Sequence, residues 1–388
     1  MRHVDPVVDR PEGPGRLAPG GDPARQLVER STRRASRGTR TVAHRLLVPV
    51  VVLVVLILVP WMSFGVPGVF SGAVNTPGSL TMLALCLVFA GIALSYDVLF
   101  GHVGLLSFGH AMFVGAGGYS AAIVMNDHGF SLAVAVLVAG GVGVALSLLV
   151  GVIALRVTGI AFSMVMLAAA QAMLVLFIND PMNVTGGDEG IVLDRSRIPA
   201  ALVGLVNAPN RYWLALAFCT IVWMTVEYLR RARIGHAWAA VRENEGRVEA
   251  LGVSAFKAKL GAVVIGGLFG SLGGVIHLVI TGGATPATLG TSFTLSLLIM
   301  VVIGGAGSRF GAIMGAFVYV ILDQRLPQLA QSDAVAGLPE VLRVPLSQPI
   351  FILGSVFVLL VYFAPGGFSR MGARISARRR RVPATSGI

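Results

Sequence analysis

The sequence predicts an all-α polytopic membrane protein. Hydrophobic residues make up 55% of its 388 residues and charged residues 12%, whereas charged residues are about 25% of a soluble domain. The mean hydropathy is +0.81, and apolar runs of the length that crosses a bilayer, about 20 residues, recur along the chain. The net charge of +12 lies mainly in tails and loops beside these runs, where basic residues fix orientation. The charge therefore does not indicate a nucleic-acid partner.

Two polar tails enclose the predicted membrane domain. Residues 1–45 contain ten Arg against five acids and few aliphatic residues, which predicts a disordered basic cytoplasmic tail. The first apolar run, Leu46 to Met62, begins too late for a secretory signal peptide and is predicted to be a retained span. The transmembrane domain then covers residues 46–365, and residues 366–388 form a second basic cytoplasmic tail.

We expect about ten transmembrane helices. Several apolar runs are interrupted by Gly, so we expect some broken or re-entrant Gly-rich helices. After the first span, the predicted spans lie near 79–96, 105–125, 131–155, 160–179, 212–230, 259–281, 290–306, 310–324 and 349–364.

The distribution of basic residues predicts the orientation. An even number of spans puts both termini on one side, and with both termini inside, 25 of the 30 Lys and Arg residues are cytoplasmic. The five on the outside are accompanied by eight acids. Because basic residues are retained on the cytoplasmic face, we expect cytoplasmic termini and a cytoplasmic loop at residues 231–258, here called the polar segment.

The polar segment interrupts the apolar part of the chain. Seven Lys or Arg and three Glu lie between residues 229 and 259. A helical plot of Ala237 to Ala250 places Ala237, Val241 and Val248 near one side and the charges over the rest. This pattern predicts a short amphipathic helix on the membrane surface, with a solvated loop as the alternative.

Three Gly-rich stretches stand out: Gly101 to Ala122, Asn183 to Gly190 and Gly304 to Gly311. Glycine permits close helix packing in lipid and turns with positive φ. The predicted structural glycines are Gly104, Gly109, Gly186, Gly187, Gly304, Gly305, Gly307 and Gly311.

Polar residues within the apolar runs are candidates for a translocation pathway, because ionisable residues in a membrane usually face a cavity or the bundle interior. His110, near the start of a span, is the first candidate and His277 the second; a hydrogen bond between packed helices is the alternative for each. The candidate pathway residues are Ser107, His110, Gln171, Thr185 and His277.

Missing motifs exclude several classes of enzyme and carrier. The two lysines, Lys257 and Lys259, do not form a GxxxxGK[ST] phosphate loop, so the chain cannot be its own P-loop ATPase. HExxH, GxSxG and paired intramembrane carboxylates are also missing. Cys86 and Cys219 lie in apolar runs without a nearby thiol or histidine at ligand spacing. We therefore predict no catalytic residues, no metal and no cofactor in this chain.

Four motifs in order resemble those of the permease subunits of branched-chain amino acid ABC importers, specifically the second, M-type subunit. The resemblance runs from about Leu80 to Pro365. The motifs are Gly104 to His110, Thr185-Gly186-Gly187 with Gly190-Ile191, Arg233 to Gly252, and Gly304 to Ser308 with Gly311-Ala312.

The resemblance implies a transport subunit, not an enzyme, that forms the pathway for branched-chain (hydrophobic) amino acids in the bacterial inner membrane. It implies four kinds of partner: a second permease, two cytoplasmic ABC ATPases that use ATP, an extracytoplasmic substrate-binding protein and the lipid bilayer. It also makes the polar segment the element that couples to the ATPases. The implied coupling residues are Arg233, Gly235, Arg242, Glu243, Asn244, Glu245, Glu249, Ala250 and Gly252.

One departure from the family pattern keeps the substrate open. Many members carry Gln where this chain has Leu105, so urea, short amides or another small polar solute are alternative cargoes. A stand-alone channel, a secondary carrier and a membrane-embedded enzyme are alternatives of other classes.

Overall fold

A computed structural model describes residues 51–65, 72–308 and 310–330, together with residues 351, 352, 354, 355, 358, 359 and 362. Residues 51–58 belong to one compact unit and residues from Val59 onward to a second, and each is described by itself. Both predicted tails, 1–45 and 366–388, lie outside the described residues. Most of the last predicted span, 349–364, also does, so the count of ten stays a prediction.

The all-α polytopic character is confirmed. Five helices in the described part of the chain are long and apolar enough to cross a membrane, and shorter apolar helices accompany them. The elements are α1 (Val51–Trp61), α2 (Pro77–Asp97, continued by a π turn over Val98–Val103), α3 (Ala111–Asn126), α4 (Leu132–Ala154), α5 (Ile160–Asn179), β1 (Ile191–Val192), α6 (Ala208–Arg231), α7 (Arg233–Glu243), α8 (Glu245–Ala250), α9 (Ala255–Thr281), β2 (Gly283–Ala284), α10 (Thr291–Gly304) and α11 (Gly311–Ala330).

Helices α2 and α9 form the centre of the second unit. Helix α2 packs against α6, α9 and α11, while α9 also packs against α3 and α4. The apolar windows of α2 and α9 are 83% and 72% buried, against 28% for α4 and 22% for α5. Chains of this hydropathy satisfy their backbone groups within helices, and the less buried α4 and α5 lie at the periphery.

At the end of the bundle opposite α7 and α8, two short strands pair. Strands β1 and β2 are antiparallel, with Ile191 opposite Ala284. Asn126, at the end of α3, joins this pair because its amide donates to the carbonyl of Val192 and accepts from the N–H of Asp194. These bonds provide partners for polar backbone groups in the irregular segment that connects α5 to α6, which pairs with the one that connects α9 to α10.

Two predicted elements differ from the structure. The third span was expected over 105–125, but helix α3 begins only at Ala111, and the residues after Gly104 are not helical. The single amphipathic helix expected over Ala237–Ala250 is wrong, because Asn244 adopts an extended conformation (φ −162°, ψ 103°) that separates α7 from α8. The Asn244 side chain accepts a hydrogen bond from the N–H of Arg247 and so begins a new helix.

Candidate functional site

The polar segment is fixed to the bundle through Trp238. This side chain is 1% exposed, and its Nε1–H donates a 2.9 Å hydrogen bond to the carbonyl of Ala258 in the first turn of α9. Gly235 is buried where α7 meets α6, and a Cβ atom there would lie 2.5 Å from the carbonyl oxygen of Leu229. Helix α7 is therefore packed on the bundle and is not a free loop.

An ion pair connects α8 to α9. The Lys259 ammonium lies 2.5 Å from Glu245 Oε1, with the Lys259 side chain 10% and the Glu245 side chain 37% exposed. Lys259 is thus a buried cation whose carboxylate partner is partly solvated. Since an unpaired buried charge is costly, this pair favours one position of α8 against α9.

Three stretches that are far apart in sequence meet around Asp97. This carboxylate is 1% exposed; its Oδ1 accepts a 2.8 Å hydrogen bond from the N–H of Gly307, in the turn between α10 and α11. Its Oδ2 lies 3.6 Å from His102 Nδ1. The Arg242 guanidinium of α7 donates to the carbonyl of Gly101. We call Asp97, Gly101, Arg242 and Gly307 the junction.

The side of the polar segment that faces away from the helix bundle is exposed. Arg233 and Glu243 lie at the two ends of α7 with exposed side chains. Leu251, directly after α8, is 78% exposed, and Phe256, in the first turn of α9, is 39% exposed. Gly252 has φ +80° with open space where a Cβ would lie. The other predicted coupling residues on this exposed side are Asn244, Glu249 and Ala250.

Of the candidate pathway residues, His110 is fully buried. Its Nε2 lies 2.9 Å from Ser95 Oγ in α2, and its ring contacts the rings of Tyr96 and Phe113 edge-on. The imidazole also packs beside Gly266 and Gly270 of α9, where a Cβ atom would lie 3.4 Å from it, about van der Waals contact. His110 therefore holds α2, α3 and α9 together in this structure.

Residues 105–110, directly before α3, are not helical. Ser163 Oγ donates to the carbonyl of Leu106 at 2.5 Å, the N–H of Gly109 donates to buried Ser107 Oγ at 3.4 Å, and the N–H of Ala111 donates to Thr294 Oγ1 at 3.0 Å. Side chains thus replace the missing helical bonds, as buried irregular backbone in a membrane requires.

Gln171 lies within α5, and Thr185 lies in the turn that follows this helix. Gln171 Nε2 donates to Thr291 Oγ1 at the start of α10. Thr185 Oγ1 donates to the carbonyl of Phe177. The carboxylate of Asp180 accepts from the N–H groups of Val184, Thr185 and Gly186, and these bonds, led by that of Thr185, lower the pKa of Asp180.

His277 differs from His110 because it is partly exposed. Its ring lies against Phe89 and Phe293. It also lines a small cavity with Gly118, Gly274 and Thr288. The structure therefore distinguishes the two histidines: His110 is enclosed by packed helices, and His277 is partly exposed and borders a small cavity.

The predicted structural glycines fall at turns or close contacts. Gly307 has φ +73°, and a Cβ there would lie 2.8 Å from the carbonyl of Gly101, so the junction requires glycine. Positive φ also occurs at Gly104, Gly186, Gly187 and Gly305. At Gly109, Gly304 and Gly311 a Cβ would overlap the backbone or a side chain of Met166, Gly311 and Ser308, respectively.

Asp97 was missed by sequence reasoning. It stands one position beyond the predicted span 79–96 and was not counted among the intramembrane polar residues. An acid at the end of a strongly apolar run was the signal available. Its partner, Gly307, belongs to a motif that was recognised, but 210 positions separate the two residues.

Helical architecture, apolar spans and a charged segment fixed to their ends define a multi-pass membrane protein. The chain belongs to the family described as "Branched-chain amino acid transport system / permease component", whose sequence model matches residues 78–361. The resemblance stated from the motifs is thereby confirmed.

Individual relatives agree with this family. The chain is 25% identical over 320 residues to the high-affinity branched-chain amino acid transport system permease protein LivM of Escherichia coli K12, covering 76% of this chain and 70% of the relative. A probable branched-chain amino acid transport permease protein LivM of Methanocaldococcus jannaschii is 27% identical over 204 residues, covering 52% and 57%. No solved structure gives a significant match.

Proposed function

We propose that this chain is a permease subunit of an ABC importer and forms part of the translocation pathway for branched-chain amino acids. Separate ATPase subunits drive the transport. The observation that carries the proposal is the polar segment: its inner side is fixed to α9 by Trp238 and to the α2 turn by Arg242. Its outer side presents exposed charged and apolar residues.

This arrangement suits a subunit that is moved by a partner. A ligand or partner shifts a conformational equilibrium only through contacts that differ between the states. A helix packed rigidly on the bundle transmits a movement of the partner to the spans, whereas a solvated loop would deform without moving them. On this proposal α7 and α8 face the cytoplasm of a bacterial cell and lie against an ATPase. A second permease and an extracytoplasmic binding protein complete the importer.

The position of Leu105 removes an argument against the amino-acid cargo. Leu105 is 8% exposed, and its N–H donates to the carbonyl of Leu99. Because the Leu105 side chain is buried, the replacement of Gln by Leu at this position changes a packed contact and not a surface open to solvent. Uptake of labelled leucine and labelled urea by membranes containing the assembled importer compares the two cargoes directly.

Variants on the exposed side test the coupling role. We expect Glu243→Ala or Gly252→Trp to leave membrane insertion intact while leucine uptake falls and ATP hydrolysis continues. Glu189→Ala is the matched control, because Glu189 is an exposed acid outside the polar segment, and it should transport normally. Normal uptake by both polar-segment variants would remove the coupling role.

A further inference from the structure

Three partly exposed rings form a cluster between α2, α9 and α10. The centroid of the Phe89 ring lies 5.7 Å from that of His277 and 5.5 Å from that of Phe293, and the His277 and Phe293 centroids are 6.3 Å apart. All three side chains are partly exposed. The chain neighbours on α2 and α9, Val88, Ala90 and Leu278, are at most 1% exposed, whereas Ser292, before Phe293, is exposed. The cluster is thus a partly exposed patch beside closely packed residues of α2 and α9.

The cluster lies deep in the membrane region. Phe89 precedes the end of the π turn, Val103, by 14 residues, and Phe293 precedes Gly304 by 11. These two helix ends adjoin at the junction. At a rise of 1.5 Å per residue the phenyl rings stand about 16–21 Å from that end, within the span of a hydrocarbon core about 30 Å thick, and His277 lies one turn before the other end of α9, at Thr281.

His277 makes the cluster more than an apolar surface. In the described part of the chain neither of its ring nitrogens has a hydrogen-bond partner, and the contacts found for its ring are with the two phenylalanines. An ionisable residue in a span is costly against lipid and usually faces a cavity or pathway. A neutral imidazole offers one donor and one acceptor, and here both are available to a ligand.

The geometry points to a substrate site at Phe89, His277 and Phe293, which takes an amino acid with a branched aliphatic side chain. The aliphatic group packs on the two phenyl rings, as apolar groups do when withdrawn from water. The polar end of the substrate hydrogen-bonds to the His277 imidazole. This inference rests on the proposed function and assigns the site within it.

Cysteine accessibility tests whether the cluster faces water or lipid. In a full-length chain with Cys86→Ala and Cys219→Ala, assembled with its copurifying subunits in nanodiscs, Phe89→Cys, His277→Cys and Phe293→Cys are each treated with a charged methanethiosulfonate. We expect reaction at all three positions, slowed several-fold by leucine but not by equal urea. Leu149→Cys on α4, where Leu149 is 64% exposed, is the lipid-facing control and should not react.

Reactivity like that of Leu149→Cys, or reactivity unaffected by leucine, would overturn the site. A second measurement does not depend on labelling: His277→Leu should lower leucine uptake about three- to tenfold, the equivalent of one hydrogen bond, while His277→Gln retains more activity. If wild type imports leucine and His277→Leu equals it, only this site is wrong. If assembled wild type does not import leucine, the proposed function itself is wrong.

Discussion

The carboxylate of Asp97 accepts a 2.8 Å hydrogen bond from the backbone N–H of Gly307. This bond joins the end of α2 to the turn between α10 and α11, and Arg242 of α7 contacts the same place through Gly101. A movement of the polar segment therefore reaches two helix ends at once. The junction thus connects the exposed charged surface to α2 and α10, two of the helices that carry the three-ring cluster.

Removing the Asp97 carboxylate should loosen this junction. Asp97→Ala leaves the partly buried Gly307 N–H without this acceptor, which costs about 1 kcal/mol. We expect a lower thermal unfolding temperature together with reduced leucine uptake. Asp97→Asn keeps a carbonyl oxygen in the same place and should lose less of both. Equal behaviour of the two variants would show that the hydrogen bond to Gly307 does not matter. Thermal unfolding of the purified protein and uptake by the assembled importer measure the difference.

The long helices could be predicted from sequence because the length of an apolar run is a local property. Helices α4 and α5, at Leu132–Ala154 and Ile160–Asn179, lie within a residue or so of the ranges expected. The start of α3 could not be predicted in this way. Residues 105–108 are mostly apolar, yet their backbone is held by Ser163 from another helix.

In the candidate site, too, local features could be predicted from the sequence and long-range contacts could not. The polar segment and the Gly304–Gly311 turn are visible as motifs, but their meeting at Asp97 depends on contacts between residues far apart in sequence. The end of α7 at Asn244 did have a local signal, since Asn is a favoured N-cap, and it was outweighed by the continuous apolar side of the helical plot. The partial exposure of His277, which distinguishes it from His110, follows only from packing.

Trp238 should control how firmly α7 is held. Trp238→Phe keeps an aromatic ring but removes the donor to Ala258, which should cost about 1 kcal/mol. Trp238→Ala also leaves a cavity and should cost about 3–5 kcal/mol. We expect faster amide exchange over α7 in both variants, graded in this order, with little change in α4. Exchange that rises equally in α4 and α7 would contradict a local anchoring role and indicate general destabilisation.

The ion pair between Glu245 and Lys259 should respond unequally to removal of its two members. Glu245→Gln leaves the buried Lys259 ammonium without a carboxylate and should destabilise by about 1 kcal/mol, a value kept small because Glu245 is partly solvated. Lys259→Met removes the buried charge while keeping the apolar stem, so its effect should be smaller. A double-mutant cycle by thermal unfolding measures the coupling. Equal costs for the two single variants would contradict this asymmetry.

The turn after α5 should depend on pH through Asp180. Because hydrogen bonds from backbone N–H groups, first that of Thr185, lower the pKa of Asp180, its stabilising effect is present above the ordinary Asp value of about 3.9 and is lost as pH falls through the lowered value. We expect amide protection over residues 180–186, corrected for intrinsic exchange rates, to decline only below about pH 4. Asp180→Ala should show the unprotected turn even at neutral pH, since it removes both oxygens that accept from the N–H groups of the turn. Protection that is the same in both proteins at neutral pH would mean that the turn holds its shape without this carboxylate.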